Sequence, residues 1–161
     1  IRVLHQLQLK YPDACLTMAG PDSGEKLKCL KLAQDLKVES SCQFLDLQSK
    51  PELQDLGSNH DIFMNTTEFD NIPVTLIEMA ALGLPLVTTN VGGIQHVFTH
   101  KQTALLSGSN DTPAMVKNIC SLIEHSYHFA HMIQNARKLS LEYSEDNVWE
   151  KWNQIFSKAF E

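Results

Sequence analysis

The chain has 161 residues, of which 43% are hydrophobic and 20% charged, with a formal net charge of −6. That is the composition of one globular domain with a core of useful size. The acidic balance argues against a nucleic-acid surface, and no apolar run approaches the roughly 20 residues of a membrane helix.

In chain order, residues 1–10 place Val3, Leu4 and Leu7 on one helical face, and Tyr11-Pro12-Asp13 ends the helix. Residues 14–19 (ACLTMA) read as a strand broken by Gly20-Pro21-Asp22. Residues 25–36 are amphipathic, with Leu27, Leu30, Ala33 or Gln34, and Leu36 near a helical period. Residues 42–45 are a second strand. Ser49-Lys50-Pro51-Glu52 is a capping box with proline in the first turn, opening a helix to about Asn59. Residues 61–65 are a third strand.

Residues 73–82 read as a helix that is apolar nearly all round and closed by Gly83, with Asn71 as a candidate cap. Residues 84–88 form a fourth strand, Gly92-Gly93 a turn, 94–98 a short helix and 103–106 a last strand. Asp111-Thr112-Pro113 starts a helix with Met115, Val116, Ile119, Cys120 and Ile123 inward. Residues 126–142 and 144–160 are two further helices. The alternation of strands and helices predicts a doubly wound, Rossmann-like α/β fold: a parallel sheet, helices on both faces and a helical C-terminal tail. Ligands in such sheets sit at the carboxyl ends of the strands.

Four cysteines (Cys15, Cys29, Cys42, Cys120) form no C-x-x-C pair. Cys15 and Cys42 lie in apolar runs and read as buried reduced thiols, which fits a reducing, cytosolic setting. Gly20 to Lys26 (GPDSGEK) has three residues between its glycines and fails the phosphate-loop pattern, so it reads as a solvated turn. His125, His128 and His131 could pair along a helix, but no carboxylate or cysteine framework accompanies them for a metal. Trp149 and Trp152 read as core, or else as a surface that packs on another domain.

Two acids stand out. Glu78 is the one charge in the apolar helix and lies one turn from its open N-terminus. Helix amides there suit phosphate, whereas a carboxylate suits hydroxyls such as those of a ribose beside that phosphate. The alternative is that Glu78 bonds a neighbouring backbone N–H. Asp70 stands just before the helix.

The stretch FDNIPVTLIEMAALGLPLVTTNVGGI resembles the signature of the family 4 glycosyltransferases of the GT-B fold. That signature has two acids separated by seven residues, here Asp70 and Glu78, then a small-residue helix, G-x-P, a strand and a Gly-Gly turn. Ala80, Gly83, Pro85, Val87, Gly92 and Gly93 fall in its pattern. LTMAG, FLDLQSKPELQDL and the tail with Asn135-Ala136-Arg137, Trp149 and Trp152 extend it. The resemblance implies the C-terminal, donor-binding domain of a retaining hexosyltransferase, truncated at its N-terminus. A UDP- or GDP-sugar would be its substrate, with a saccharide or lipid-linked acceptor brought by an N-terminal domain, and neither cofactor nor metal. It implies a cytoplasmic protein, peripheral at the inner membrane face.

By the same resemblance, Glu78 binds ribose hydroxyls and Asp70 faces the transferred sugar. The main chain around Asn71, Ile72, Val74 and Thr75 touches sugar and diphosphate, and Gly20 and Leu45 lie near the nucleobase. The sequence departs from the pattern in three places. Asp70 replaces the usual Glu, and Glu68 competes for its role. Pro73 stands where glycine is common, and Gln95 and His96 follow the Gly-Gly turn where a Glu is usual. Residues 51–100 contain no Lys or Arg. A departing diphosphate needs cations, which the resemblance places ahead of Ile1, so the fragment alone is expected to be inactive. The competing readings are a non-catalytic doubly wound binding module and a nucleotide-sugar epimerase.

Overall fold

The structure is a computed structural model and describes residues 1–159. Five strands, β1 (Leu16–Ala19), β2 (Cys42–Leu45), β3 (Phe63–Asn65), β4 (Leu86–Thr89) and β5 (Leu105–Ser107), alternate with helices. These are α1 (Arg2–Gln8), α2 (Lys26–Asp35), α3 (Lys50–Ser58), α4 (Val74–Leu82), α5 (Ile94–Val97), α6 (Thr112–Glu124), α7 (Ala130–Leu141) and α8 (Glu145–Ala159). Every strand pairing is parallel, as the alternation requires. The single sheet expected from the sequence is divided, however. β1 pairs with β2, while β3, β4 and β5 form a second set with β4 in the middle.

Helices cover both faces. On one side Leu76, Met79 and Ala80 of α4 pack with Leu86, Ile94 and Ala136. On the other, Val3 and Leu7 of α1 and Met115, Ile119 and Leu122 of α6 pack with Val87 and Leu105. Leu86 and Val87 thus serve opposite faces, the period-two alternation of a strand, and β4 is buried throughout. Leu4, Ala33 and Val38 join α1 and α2 to the first strand pair.

Local chemistry sets the boundaries. The Ser49 N–H donates to the Glu52 carboxylate at 2.7 Å, as the capping box predicts, and the Ser49 hydroxyl donates to the same carboxylate at 2.6 Å. Those bonds hold the Glu52 carboxyl below its ordinary range. Asp111 caps α6 by accepting from the Ala114 N–H at 3.0 Å. Gly83 closes α4 with φ 83°, a left-handed conformation that favours glycine.

Several expectations are corrected. Met115, Val116, Ile119 and Cys120 of α6 face inward as expected and Leu122 joins them, but Ile123 lies exposed. α2 buries Ala33 and leaves Leu27 in solvent. Residues 126–129 form a 3-10 turn ahead of α7, so His125, His128 and His131 do not share one α-helix. Cys15 is exposed, because it precedes β1 instead of lying within it, and all four cysteines are free. Trp149 and Trp152 of α8 are 65% and 49% exposed, so they are surface residues and not core. Phe160, expected in that helix, lies outside the described residues.

Candidate functional site

The carboxyl ends of β3, β4 and β5 carry the loops 66–73, 90–93 and 108–111. Polar side chains there are satisfied by the main chain. The Thr89 hydroxyl donates to the Thr67 carbonyl at 2.6 Å, the Thr67 N–H to Asn65 Oδ1 at 2.9 Å, and the Asn90 N–H to the Ser107 carbonyl at 2.7 Å. The first two bonds fix the start of the loop that holds Glu68 and Asp70, and the third ties the end of β4 to that of β5.

The end of that loop is fixed by glycines. The Gly93 N–H donates to the Asp70 carbonyl at 3.1 Å. A Cβ on Gly92 would lie 1.8 Å from the Asp70 carbonyl oxygen, and one on Gly93 2.0 Å from that of Asn71. Gly92 also holds φ 52°. Main chain therefore packs on main chain, and only glycine leaves the room. The Gly-Gly turn is legible in the sequence, but its partner is not.

α4 follows directly. Its N-cap is Pro73, with extended ψ of 119° and no side-chain cap, which corrects Asn71 as the capping residue and moves the helix start to Val74. A proline at this position gives up no helix hydrogen bond, since its N–H would lie outside the helix. The first amides of the helix, those of Val74 and Thr75, thus carry no side-chain partner. Val74 and Thr75 are exposed and Ile72 borders on it, whereas Leu76, Met79 and Ala80 are buried. The helix is half-buried rather than buried all round: Val74, Thr75 and Ala81 are exposed, and Leu82 borders on exposure.

Glu78 and Asp70 are partly buried, and Glu68 is exposed. Among the described residues, none of the three carboxylates takes part in a hydrogen bond or ion pair. Glu78 therefore does not serve a neighbouring backbone N–H. Gly20 and Leu45 meet at the ends of β1 and β2, where the Gly20 N–H donates to the Leu45 carbonyl at 3.2 Å. They belong to the other strand pair from Asp70 and Glu78.

A cavity of about 320 Å³ opens at this end of the molecule, lined by Arg2, Met18, Thr66, Glu68, Thr89, Asn110 and Asp111 among others. Asp70, Asn71, Ile72, Val74, Thr75, Glu78, Gly20 and Leu45 do not line it. Sequence reading missed Arg2, which brings a positive side chain to a face whose own loops have none. Nothing in the local pattern of α1 marks it. Among the described residues no three His, Cys, Asp or Glu side chains gather as metal ligands.

The family model of the glycosyl transferases group 1 matches residues 1–139. The chain belongs to that family. It is 30% identical over 160 residues to an uncharacterized glycosyltransferase of Haemophilus influenzae, covering 96% of this chain and 43% of that protein. Among solved structures, sucrose-phosphate synthase from Thermosynechococcus elongatus superposes with a TM-score of 0.86 at 18% identity, over 99% of this chain and 42% of that one. Anabaena HepE, solved in complex with UDP-glucose, gives 0.82 at 20% identity, over 98% and 44%. These similarities establish a GT-B glycosyltransferase fold for this group 1 glycosyltransferase chain. The chain spans less than half the length of these relatives. Among the described residues no helix is long and apolar enough to cross a membrane.

Proposed function

We propose that the chain is the donor-binding half of a retaining family 4 glycosyltransferase, its C-terminal domain, acting on a UDP- or GDP-sugar. Glu78 accepts hydrogen bonds from the ribose hydroxyls, and Asp70 faces the transferred sugar. Main chain at Asn71, Ile72, Val74 and Thr75 approaches sugar and diphosphate, and Gly20 and Leu45 border the base. The acceptor, a saccharide or lipid-linked sugar, is brought by a further domain of the same polypeptide. No metal takes part in the transfer. The single observation that carries this reading is the uncapped start of α4 with two unpaired carboxylates, Asp70 and Glu78, on either side of it. Helix amides attract the diphosphate and the acids attract hydroxyls, a division of labour that one nucleotide sugar satisfies. The UDP-glucose bound by the similarly folded HepE supports a nucleotide sugar as the ligand.

The test is a titration of the full-length polypeptide with UDP, GDP and their glucose conjugates, followed by amide NMR. Shifts confined to residues 70–78, 20 and 45 and lost in Glu78→Ala are expected. Saturating shifts elsewhere, unchanged in that variant, would refute the assignment.

One observation favours a variant of this reading. Glu68, not Asp70, lines the cavity together with Arg2. If Glu68 is the first acid, Glu68→Gln loses transfer and Asp70→Asn keeps it; the primary assignment predicts the reverse.

A further inference from the structure

β4 is the middle strand of its set, so β5 is an edge with a parallel neighbour on one side, among the described residues. An open edge offers backbone donors and acceptors to any other strand, and folded proteins occupy or cover them. The Asn90 N–H donates to the Ser107 carbonyl. By alternation Leu105 and Ser107 bond to β4, while Ala104, Leu106 and Gly108 turn their backbone outward.

Each outward position is occupied from within the chain. At one end the Ala104 N–H donates to the Thr99 carbonyl at 3.4 Å, and the Ala104 carbonyl accepts from the Lys101 N–H at 2.8 Å. At the other the Gly108 carbonyl accepts from the Asp111 N–H at 3.2 Å. These are main-chain bonds and do not titrate. The middle position, Leu106, is held by two side chains. Its N–H donates to His100 Nδ1 at 3.0 Å, and its carbonyl accepts from Asn118 Nδ2 of α6 at 3.3 Å. The donating N–H fixes the tautomer: Nδ1 keeps a lone pair, so the proton of the neutral ring sits on Nε2. A doubly protonated ring has no acceptor on either nitrogen.

The loop that presents the ring is bonded at several points. The Thr99 N–H donates to the Thr103 hydroxyl at 2.8 Å, and Asn135 Nδ2 of α7 donates to the Gln102 carbonyl at 3.2 Å. Lys101 holds φ 63°, which few residues other than glycine adopt, so these bonds and not the local preference of the chain set the turn. His100 is exposed, so protons reach it. Partial burial keeps its pKa below the ordinary 6.5, and the charge of Lys101 adds to that effect. The helices against this loop meet it through Asn118 and Asn135, both uncharged. Lys117 adjoins Asn118 on α6, and His131 and Lys138 lie one turn either side of Asn135 on α7. Among the described residues none of these three bonds to the loop.

We propose that His100 is a pH-sensitive plug on the open edge of β5. The neutral ring takes the Leu106 N–H and closes the edge to a further strand, and the protonated ring releases that N–H. The plug is fully in place above the ordinary imidazole pKa and is lost as the pH falls through the lower value that the ring has in the fold. Asn118 and the main-chain bonds at Ala104 and Gly108 do not titrate, so the opening is local to Leu106. This inference does not depend on the donor assignment.

The test is amide hydrogen exchange of the full-length polypeptide, read by NMR as the protection of Leu106 relative to that of Ser107. Ser107 faces β4 from the same strand, so a general loss of stability moves both amides and leaves their ratio alone. Between about pH 7.5 and about pH 4.5, on either side of the imidazole range, the ratio should fall about 3- to 10-fold, the effect of one hydrogen bond. His100→Asn places an amide oxygen near the position of Nδ1 and does not titrate, so its ratio should stay high at both pH values. His100→Phe has no acceptor, and its ratio should stay low at both. Long-range proton–nitrogen correlation should show the wild-type ring protonated on Nε2 at the higher pH. A wild-type ratio that does not move with pH, a pH dependence that survives in His100→Asn, or a neutral ring protonated on Nδ1 would each overturn the proposal.

Discussion

Four glycine-to-alanine substitutions separate two kinds of constraint at the site. Gly83 has φ 83° and open space around a built Cβ, so alanine there meets conformational strain alone. Gly93 has φ −79° but a carbonyl oxygen 2.0 Å from that Cβ, so alanine meets only a clash. Gly92 has both, φ 52° and an oxygen at 1.8 Å. Gly108 has neither, its nearest neighbour being Asp111 Cβ at 3.6 Å. Left-handed strain costs about 1–2 kcal/mol. Forcing extra volume into packed main chain costs about 1–3 kcal/mol. The expected losses are therefore about 1 kcal/mol for Gly83→Ala, about 2 for Gly93→Ala, about 3 for Gly92→Ala and under about 0.5 for Gly108→Ala. Urea denaturation of the four variants measures them, with unchanged slopes as the check on two-state behaviour. If Gly92→Ala costs no more than Gly83→Ala, the turn does not press on the Asp70 loop, and the account of how that acid is held fails.

Asp111→Ala removes the cap of α6 and should cost about 1 kcal/mol, with Asp111→Asn largely restoring it, in thermal melts. Leu76→Ala empties a fully buried position between α4 and the sheet and should cost about 2–5 kcal/mol by denaturant titration. Glu124 accepts from Tyr11 at 2.7 Å and pairs with Lys10. The bond from Lys10, then that from Tyr11, holds its carboxyl below the ordinary range. A carboxyl lowered by folding stabilises the protein above its unfolded pKa and loses that contribution as pH falls through the folded value. Stability followed by chemical denaturation from pH 6 downward (about two units past the ordinary carboxyl pKa) should therefore decline, and Glu124→Gln should flatten the decline. An identical slope in the variant would count against the pair.

The legible parts of the fold are those that short-range chemistry decides. Ser49 and Glu52 announce a capping box because both partners lie within one turn. Gly83 and Asp111 mark helix ends for the same reason, and residues 42–45 read as a strand and are one. What the sequence leaves unread depends on partners distant in the chain. The division of the sheet follows from which edges pair, and no pattern within β1 or β3 records it. The exposure of Trp149 and Trp152 reflects an apolar stripe on α8 that the described residues leave largely open; a stripe looks the same whether or not its partner is present. At the site, Asp70 and Glu78 stand out by spacing and by resemblance. Their lack of partners, the glycine turn against the Asp70 loop and the approach of Arg2 all required the fold. α4 misleads as a sequence because apolar residues on its open face read as core.

The central claim is that Glu78 meets the ribose of a nucleotide sugar. Calorimetric titration of the full-length polypeptide with UDP-glucose, and with GDP-glucose in parallel, compares wild type with Glu78→Gln. A hydrogen bond to a charged group contributes about 1.5–3 kcal/mol, so the variant should bind the preferred sugar about 10- to 100-fold more weakly, with its melting curve unchanged without ligand. Equal affinity in the two proteins, for the sugar that the wild type binds, would contradict the assignment.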